Sequence, residues 1–153
     1  MPLKVERTLV LLKPDCVMRG LIGKVISRIE ERGFSIIGLK LLKMDRSTAE
    51  KLYEEHRNKP FYEPLLRFMM SGPVVAIVVE GPSAVSAMRQ MLGSTNPLDA
   101  QAGSIRADYA ISNRKNIAHA SDSIESAEKE ISIFFKESEL TSYVRPSEAA
   151  YLT

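Results

Sequence analysis

The chain is poor in cysteine and histidine and has no long apolar run. Cys16 is its only cysteine, so no disulfide can close within the chain, and the thiol is most simply interpreted as a small, partly buried hydrophobic group. A single cysteine suits a reducing cytoplasm. No segment approaches the roughly 20 apolar residues of a membrane-spanning helix, and the first residues lack a signal peptide's apolar stretch. We therefore expect a cytoplasmic protein without a membrane partner.

The surplus of positive charge is also small. The formal net charge is +2 and no long basic run accompanies it, which argues against nucleic acid as the main partner. Hydrophobic residues make up 44% and charged residues 26%, as in ordinary globular proteins, so disorder is not indicated. The 153 residues are the length of one ordinary domain, and no repeat or low-complexity linker divides them. We predict a single domain over residues 1–153.

Hydrophobic periodicity predicts an alternation of strands and helices. The predicted strands cover residues 7–13, 34–44, 73–80 and 130–136. The predicted helices begin at Leu21, at a capping box headed by Ser47, near Phe61, at Ala84 and after an N-cap at Ser123. With the helical insert between the second and third strands set aside, the order is βαββαβ. This pattern is typical of an α+β, ferredoxin-like fold with a four-stranded antiparallel sheet covered by helices.

Residues 93–119 form the longest stretch without a sustained period, and its end carries the most informative residue. An irregular stretch of this length inside a compact domain is usually functional, because ordering it has an entropic cost. The chain has only two histidines, and His119 closes this stretch in a polar, small-residue loop just before a helix start. Neutral imidazole is a nucleophile at physiological pH. We therefore predict covalent chemistry at His119.

Four other side chains would complement a polyphosphate. Lys13 ends the first strand, Arg89 lies near the end of a predicted helix, and Thr95 and Arg106 lie in the long loop. Guanidinium groups match phosphate oxygens bidentately and offset their charge. Phosphoryl transfer depends mainly on positioning and charge stabilisation, which this set would supply to a phosphoryl group attacked by His119.

Each of these residues also has an ordinary structural explanation when it is considered alone. A single loop histidine is more often structural or solvated than reactive, and a helical arginine more often faces solvent. Tyr53 and Phe61 would ordinarily be aromatic residues of the core or its rim. His56 lies in a charged helical context and is interpreted as a surface residue. Glu130, at the head of an apolar strand, needs a partner for its carboxylate.

The motifs together resemble those of the nucleoside diphosphate kinase family. The matching segments, in order along about residues 5–136, are Lys13-Pro-Asp15, Tyr53, Lys59-Pro60-Phe61, Arg89 through Gly93-Ser-Thr95-Asn96-Pro97, Ser104-Ile-Arg106-Ala-Asp108 and Asn116-x-x-His119-Ala-Ser121-Asp122-Ser123. The last of these signatures is highly specific to the family. The resemblance assigns residues 5–136 to the domain core and residues 137–153 to a C-terminal tail.

The resemblance implies reversible transfer of a γ-phosphoryl group, mainly from ATP, to a nucleoside diphosphate by a ping-pong route. His119 would carry the phosphoryl group, and Glu130 would hydrogen-bond its other ring nitrogen and fix the tautomer. Tyr53 would lie beside the histidine. Ser121 and Asp122 would shape its surroundings.

The resemblance also implies how the nucleotide is held. Arg89, Thr95 and Arg106 match phosphate ligands, while Lys13 and Asn116 match contacts to the sugar 3′-hydroxyl and the phosphates. Phe61 matches the ring on which the base stacks, and stacking tolerates every base. The implied cofactor is Mg²⁺, held mainly by the substrate phosphates rather than by protein ligands. The implied partners are nucleoside di- and triphosphates, with no requirement for nucleic acid.

Self-association and three departures complete the comparison with the family. The tail through Tyr143-Val-Arg-Pro146 resembles the longer C-terminus of hexameric members, so a homo-hexamer is favoured and a tetramer stays possible. Many relatives have glycine where this chain has Ala107 and Ala120, so these turns must accept a Cβ. Asn113 stands where relatives often have an aliphatic wall for the base slot.

Two other classes of function compete with an enzyme. A non-catalytic regulator that binds nucleotide or nucleic acid is one alternative, although such a relative would be expected to lack the histidine that this chain has. A purely structural, oligomer-forming module is the other. It predicts no thermal shift on addition of ADP and magnesium.

Overall fold

The computed structural model describes residues 4–144, which are built around one antiparallel sheet. Its strands are β1 (Val5–Leu12), β2 (Ser35–Lys43), β3 (Pro73–Pro82) and β4 (Ala118–Ala120). The order across the sheet is β2-β3-β1-β4, and each neighbouring pair is antiparallel. The predicted α+β, ferredoxin-like class with four antiparallel strands is therefore confirmed.

Helices cover both faces of this sheet. They are α1 (Pro14–Met18), α2 (Ile22–Glu31), α3 (Arg46–Leu52), α4 (Tyr62–Met69), α5 (Ala84–Leu92), α6 (Ile105–Tyr109) and α7 (Ile124–Phe134), with 3-10 turns at Glu54–His56, Pro97–Asp99 and Glu137–Glu139. None of the helices in residues 4–144 combines the length and apolar content needed to span a bilayer.

Period-two alternation along the central strands divides the core into two clusters. In β1, Leu9 and Leu11 face one side of the sheet, whereas Val10 and Leu12 face the other. The first side packs against α3, α4 and α7, and the second packs against α2 and α5. Strand β3 is apolar throughout its middle because both of its faces are buried. The two-sided core anchors the edge at which β4 pairs with β1.

The prediction of a final strand at residues 130–136 is wrong, because this segment belongs to α7 and its continuation. The alternation of Ile131, Ile133 and Phe135 resembled a strand. Ala127, Ile131 and Phe134 also have helical spacing, and in the helix they pack on the core. Burial of this helical face selected the helix. The predicted N-cap is confirmed, because the Ser123 hydroxyl accepts a hydrogen bond from the Ser126 amide at 3.0 Å.

The fourth strand lies instead inside the stretch predicted to be an irregular loop. β4 has only three residues, and it pairs with β1 so that His119 is opposite Leu11. Three residues are too few to show a period in the sequence. A smaller correction concerns α3, which begins at Arg46 with Asp45 as its cap rather than at a Ser47 capping box. The Asp45 carboxylate accepts the Thr48 amide at 2.7 Å.

Candidate active site

His119 occupies the middle of β4 and not a loop, so that part of the prediction is wrong. Its main chain is held by pairing with β1, and its side chain keeps 24% of its surface exposed. Hydrophobic neighbours on both sides, Ala118 and Ala120, are fully buried. The strand therefore fixes the backbone of the histidine while one edge of the ring stays accessible to a ligand.

A carboxylate and a hydroxyl orient the imidazole. His119 Nε2 lies 2.7 Å from Glu130 Oε1, and the Ser121 hydroxyl donates to the same oxygen at 2.8 Å. A carboxylate oxygen accepts hydrogen bonds, so Nε2 carries the proton and Nδ1 presents its lone pair. Glu130 lies on α7, and this helix places its carboxylate beside the ring.

Tyr53 closes the apolar side of the histidine. Its ring meets the imidazole edge to face, with centroids 6.2 Å apart and an interplanar angle of 78°. Tyr53 is only 6% exposed, and its hydroxyl has no hydrogen-bond partner within residues 4–144. Burial, and secondarily the charge of Glu130, raise the pKa of the Tyr53 phenol. The ring thus acts as a neutral wall beside His119.

A strained turn stands two residues before the histidine. Ile117 has φ +77°, and the Ala118 amide donates to the Asn116 carbonyl at 2.9 Å, which defines a γ-turn that β-branched residues rarely adopt. The Asp15 carboxylate accepts the Ile117 amide at 3.0 Å. The Lys13 amide donates to the Ile117 carbonyl at 2.9 Å. These bonds hold both sides of the strained peptide and so set where β4 begins.

Arg106 is a buried clamp on the same segment. It is 5% exposed, and its Nε, Nη1 and Nη2 donate to the carbonyl oxygens of Asn116, Gly93 and Ala118 at 3.2, 2.8 and 2.6 Å. Burial, and then the nearby charge of Arg89, lower the pKa of Arg106 to about 10. A guanidinium has five N–H donors, so donors beyond these three remain available to a phosphate. The predicted phosphate ligand also supports the backbone.

Lys13 and Asn116 form a buried polar pair. Lys13 Nζ donates to Asn116 Oδ1 at 2.7 Å, and Asn116 Nδ2 donates to the carbonyl of Thr95 at 3.1 Å. Burial, and then repulsion by Arg106, lower the pKa of Lys13 to about 8, against the opposing attraction of Asp15. The pair ties the loop that carries the Thr95 hydroxyl to the end of β1.

Arg89 is an exposed cation of the site. Its guanidinium lies at the surface of α5, where Nη1 donates to the carbonyl of Ala120 at 3.3 Å, one residue after His119. Side-chain hydrogen bonding from Ser126, together with the charge of Arg89, lowers the pKa of Asp122.

Gly93 follows α5 with φ +86°, and a Cβ there would come within 2.5 Å of Ser104 Oγ. The loop with Thr95 therefore depends on glycine at this turn.

Aromatic rings lead from the histidine to Phe61. Phe61 is 43% exposed, its ring centroid lies 5.2 Å from that of His56, and Lys59 Nζ lies 5.8 Å from the Phe61 centroid. His56, predicted to be a surface residue, is half-buried, because its side chain is 29% exposed and its Nδ1 is buried. The charged residues around it hid this, since they belong to a short 3-10 turn and not to a regular helix face.

The predicted site residues therefore meet at one edge of the sheet. Those with a direct contact to His119 are Glu130 and Tyr53, and Ser121 joins them through Glu130. Direct hydrogen bonds also link the residues around the strained turn, namely Lys13, Thr95, Arg106 and Asn116. Sequence reasoning missed the bond from Asp15 to the turn, although Asp15 belongs to one of the quoted motifs.

The departures from the family pattern have different outcomes. Ala107 lies within α6 and Ala120 within β4, and neither has positive φ, so both accept a Cβ without strain. Asn113 is exposed in the bends before β4, and its place as a wall of the base slot stays a prediction.

Within residues 4–144, no three histidine, cysteine, aspartate or glutamate side chains are grouped to hold a metal ion.

Comparison with known proteins agrees with this geometry. The family model described as nucleoside diphosphate kinase matches residues 6–140. The nucleoside diphosphate kinase of Sulfurisphaera tokodaii is 56% identical over 138 residues, which cover 90% of this chain and 94% of the relative. That of Methanocaldococcus jannaschii is 56% identical over 135 residues, covering 88% of this chain and 96% of the relative.

Solved structures show the same fold. The halophilic nucleoside diphosphate kinase from Halobacterium salinarum, solved in complex with CDP, has a TM-score of 0.94 at 40% identity and covers 98% of this chain and 99% of its own. The nucleoside diphosphate kinase of Aquifex aeolicus has a TM-score of 0.88 at 41% identity and covers 90% of this chain and 100% of its own. The chain therefore belongs to the nucleoside diphosphate kinase family and is a phosphotransferase.

Proposed function

We propose that His119 carries the phosphoryl group in a two-step transfer. In the first step, the lone pair of Nδ1 attacks the γ-phosphorus of a nucleoside triphosphate. The bond to the β–γ bridging oxygen breaks, and the diphosphate leaves. In the second step, a terminal oxygen of another diphosphate attacks the phosphorus, and the bond to Nδ1 breaks. The observation that carries this proposal is the 2.7 Å bond between Nε2 and Glu130, which leaves Nδ1 as the free nitrogen.

Glu130 and the surrounding cations would lower the barrier by charge stabilisation. A phosphorylated imidazole that keeps its Nε2 proton gains positive character, and the carboxylate facing that proton stabilises it. Ser121 donates to the same carboxylate and keeps it oriented. Arg89 supplies positive charge from an exposed position, whereas Lys13 and Arg106 supply it from buried positions. Charge on the transferring phosphoryl group would thus meet preorganised donors.

We place the nucleotide between the three cations, Lys13, Arg89 and Arg106, and the exposed ring of Phe61. Stacking on Phe61 would hold the base without reading its edge, and Lys13 with Asn116 would contact the sugar 3′-hydroxyl and phosphates. Arg89, Thr95 and Arg106 would contact the phosphates. The CDP complex of the Halobacterium salinarum enzyme supports nucleotides as substrates. Nucleoside di- and triphosphates are the substrate class.

Mg²⁺ would enter with the substrate phosphates and offset their charge. The described residues fit this arrangement, because the site offers lysine and arginine to phosphate and no group of acidic or imidazole ligands to a metal. Mg²⁺ keeps several waters and is commonly bound through substrate phosphates with few protein ligands. The phosphate oxygens would therefore be its principal ligands.

The proposal is tested by following a labelled phosphoryl group. The purified protein is mixed with γ-labelled ATP and magnesium, separated from nucleotide, and then given unlabelled GDP. Label should stay on the protein with the acid-labile, alkali-stable behaviour of phosphohistidine, and it should move entirely to GTP in the second step. Acid-stable label, or label that GDP does not remove, would contradict the two-step route.

The pH dependence should report the charge on Lys13. Its ammonium is the form that binds phosphate, and that form is lost as pH rises through a pKa of about 8. We therefore expect kcat/KM to fall above about pH 8. In Lys13→Arg the charge persists, since guanidinium stays protonated in this range, and the fall should disappear even if the rate is lower throughout. If kcat/KM of Lys13→Arg still fell with the same midpoint as in the wild type, the fall could not be assigned to Lys13.

We further propose a cytoplasmic homo-oligomer built from one domain over residues 1–153, with a hexamer favoured over a tetramer. Strand β2 lies at one edge of the sheet, and its Leu39 and Leu41 are 54% and 67% exposed. Exposed apolar side chains on an edge strand are typical of a surface that is buried in a subunit interface. The hexamer argument uses the tail at Tyr143-Val-Arg-Pro146, of which residues 145–146 lie outside the described residues. The free, buried thiol of Cys16 suits a reducing compartment. Light scattering would measure the number of subunits.

A further inference from the structure

His56 joins the exposed Phe61 ring to the aromatic neighbour of the nucleophile. The ring of His56 is 6.4 Å from that of Tyr53 at 27°, a stacked arrangement, and 5.2 Å from that of Phe61 at 60°. Tyr53 in turn meets His119 edge to face. One continuous row of four rings thus runs from the proposed base platform to the reacting nitrogen, and His56 is the link between its two halves.

Backbone hydrogen bonds hold His56 rigidly in this row. Its amide donates to the Tyr53 carbonyl and its carbonyl accepts the Lys59 amide, both at 2.9 Å. Its Nδ1 is buried and makes no hydrogen bond within residues 4–144, while Nε2 lies 3.8 Å from Glu55. The imidazole therefore contributes chiefly as a ring packed between two other rings.

Phe61 is the most exposed ring of this row. It is 43% exposed and directly precedes α4, and the charge of Lys59 lies 5.8 Å from its centroid. An exposed side chain that must be ordered by its ligand weakens binding by the entropy of that ordering. A ring packed against one edge of Phe61 removes part of this cost before the nucleotide arrives.

We propose that His56 is a positioning residue that presents Phe61 for stacking by the nucleotide base. The proposal rests on the role of Phe61 proposed above. It predicts a dependence on the base, because His56 supports the platform and not the phosphate-binding groups. Donors that carry a base should need His56, and donors without a base should not.

The test compares two phosphoryl donors. ATP carries a base, whereas phosphoramidate has none and can transfer its phosphoryl group to Nδ1 as its P–N bond breaks and ammonia leaves. Second-order rate constants for phosphoenzyme formation are measured with both donors for the wild type, His56→Ala, His56→Phe and Phe61→Ala. Arg57→Ala, an exposed change in the same loop, is the matched control. Thermal unfolding checks that each variant is folded.

The expected pattern is specific. An aromatic contact of this kind corresponds to about a threefold to tenfold effect, so His56→Ala should lower the ATP constant by about that factor and leave the phosphoramidate constant nearly unchanged. His56→Phe keeps a ring and should restore most of the ATP constant. Arg57→Ala should match the wild type with both donors.

Three results would overturn the proposal. Equal losses with both donors in His56→Ala would indicate general damage to the site. A loss in His56→Phe as large as in His56→Ala would show that the ring is not what matters. If the rate constant with ATP fell in Phe61→Ala but not in His56→Ala, the positioning role of His56 would be refuted while the stacking role of Phe61 would stand. No effect of Phe61→Ala would instead refute the proposed platform itself, so the two failures are distinguishable.

Discussion

Replacing His119 by alanine should remove phosphoenzyme formation completely and lower turnover by about four orders of magnitude or more. The variant removes the imidazole whose Nδ1 we propose as the nucleophile. Glu130 points its carboxylate at the position of the lost ring, and Ser121 is already committed to Glu130. Labelling with γ-labelled ATP measures the first effect, and coupled steady-state assays measure the second.

The second histidine provides the matched control. The chain has only two histidines, so His56→Phe should keep the label while His119→Ala loses it. In His119→Gly, free imidazole should enter the vacated space and restore part of the transfer, because the orienting carboxylate remains. Label of wild-type amount on His119→Ala, or its disappearance in a folded His56→Phe, would place the nucleophile elsewhere.

Replacing Arg106 by alanine should lower the free energy of unfolding by about 3–5 kcal/mol in addition to impairing catalysis. The guanidinium satisfies three carbonyl oxygens, and two of these belong to Asn116 and Ala118, on either side of the strained Ile117. Its removal takes a donor from each of these carbonyls, of which that of Asn116 keeps the Ala118 amide, and weakens the support of the turn that precedes His119. Chemical denaturation gives the change in stability, provided that all variants are compared at one protein concentration, since association would add to stability.

A comparison with Arg89→Ala separates the loss of stability from the loss of catalysis. Arg89 is exposed and makes one long bond to the Ala120 carbonyl at 3.3 Å, so Arg89→Ala should impair transfer with little change in the midpoint of unfolding. Arg106→Lys should be intermediate, because one ammonium cannot reproduce the planar fork that reaches three carbonyls. Equal stabilities for Arg89→Ala and Arg106→Ala would contradict the clamp assigned to Arg106.

Much of the fold could be predicted because its signals are local. The central strands β1, β2 and β3 are long, apolar and rich in branched residues, and α2 and α5 follow a helical period. The fourth strand could not be found in this way. β4 has three residues, and its partner β1 lies more than a hundred positions earlier in the chain, so its hydrogen bonds depend on a contact that local sequence does not encode.

The competing signal at residues 130–136 shows how tertiary burial decides an ambiguous segment. These residues carry apolar side chains at both the strand period and the helix period. In the structure β4 occupies the position next to β1, and residues 130–134 extend α7, in which Phe134 is buried on the core. That choice is also what carries Glu130 to the ring of His119.

The sequence by itself determined the chemical inventory and its order: a histidine, a carboxylate after it, and cations and an aromatic residue before it. The residue types and their order are properties of the chain alone, and the roles expected of them came from the resemblance to the family. Only the tertiary structure decided that Nδ1 is the nitrogen not bonded to Glu130, that Arg106 is buried whereas Arg89 is exposed, that Asp15 accepts the Ile117 amide, and that the ring of His56 lies between those of Tyr53 and Phe61. Those properties depend on burial and on hydrogen-bond geometry between residues distant in the chain, and folding alone creates both.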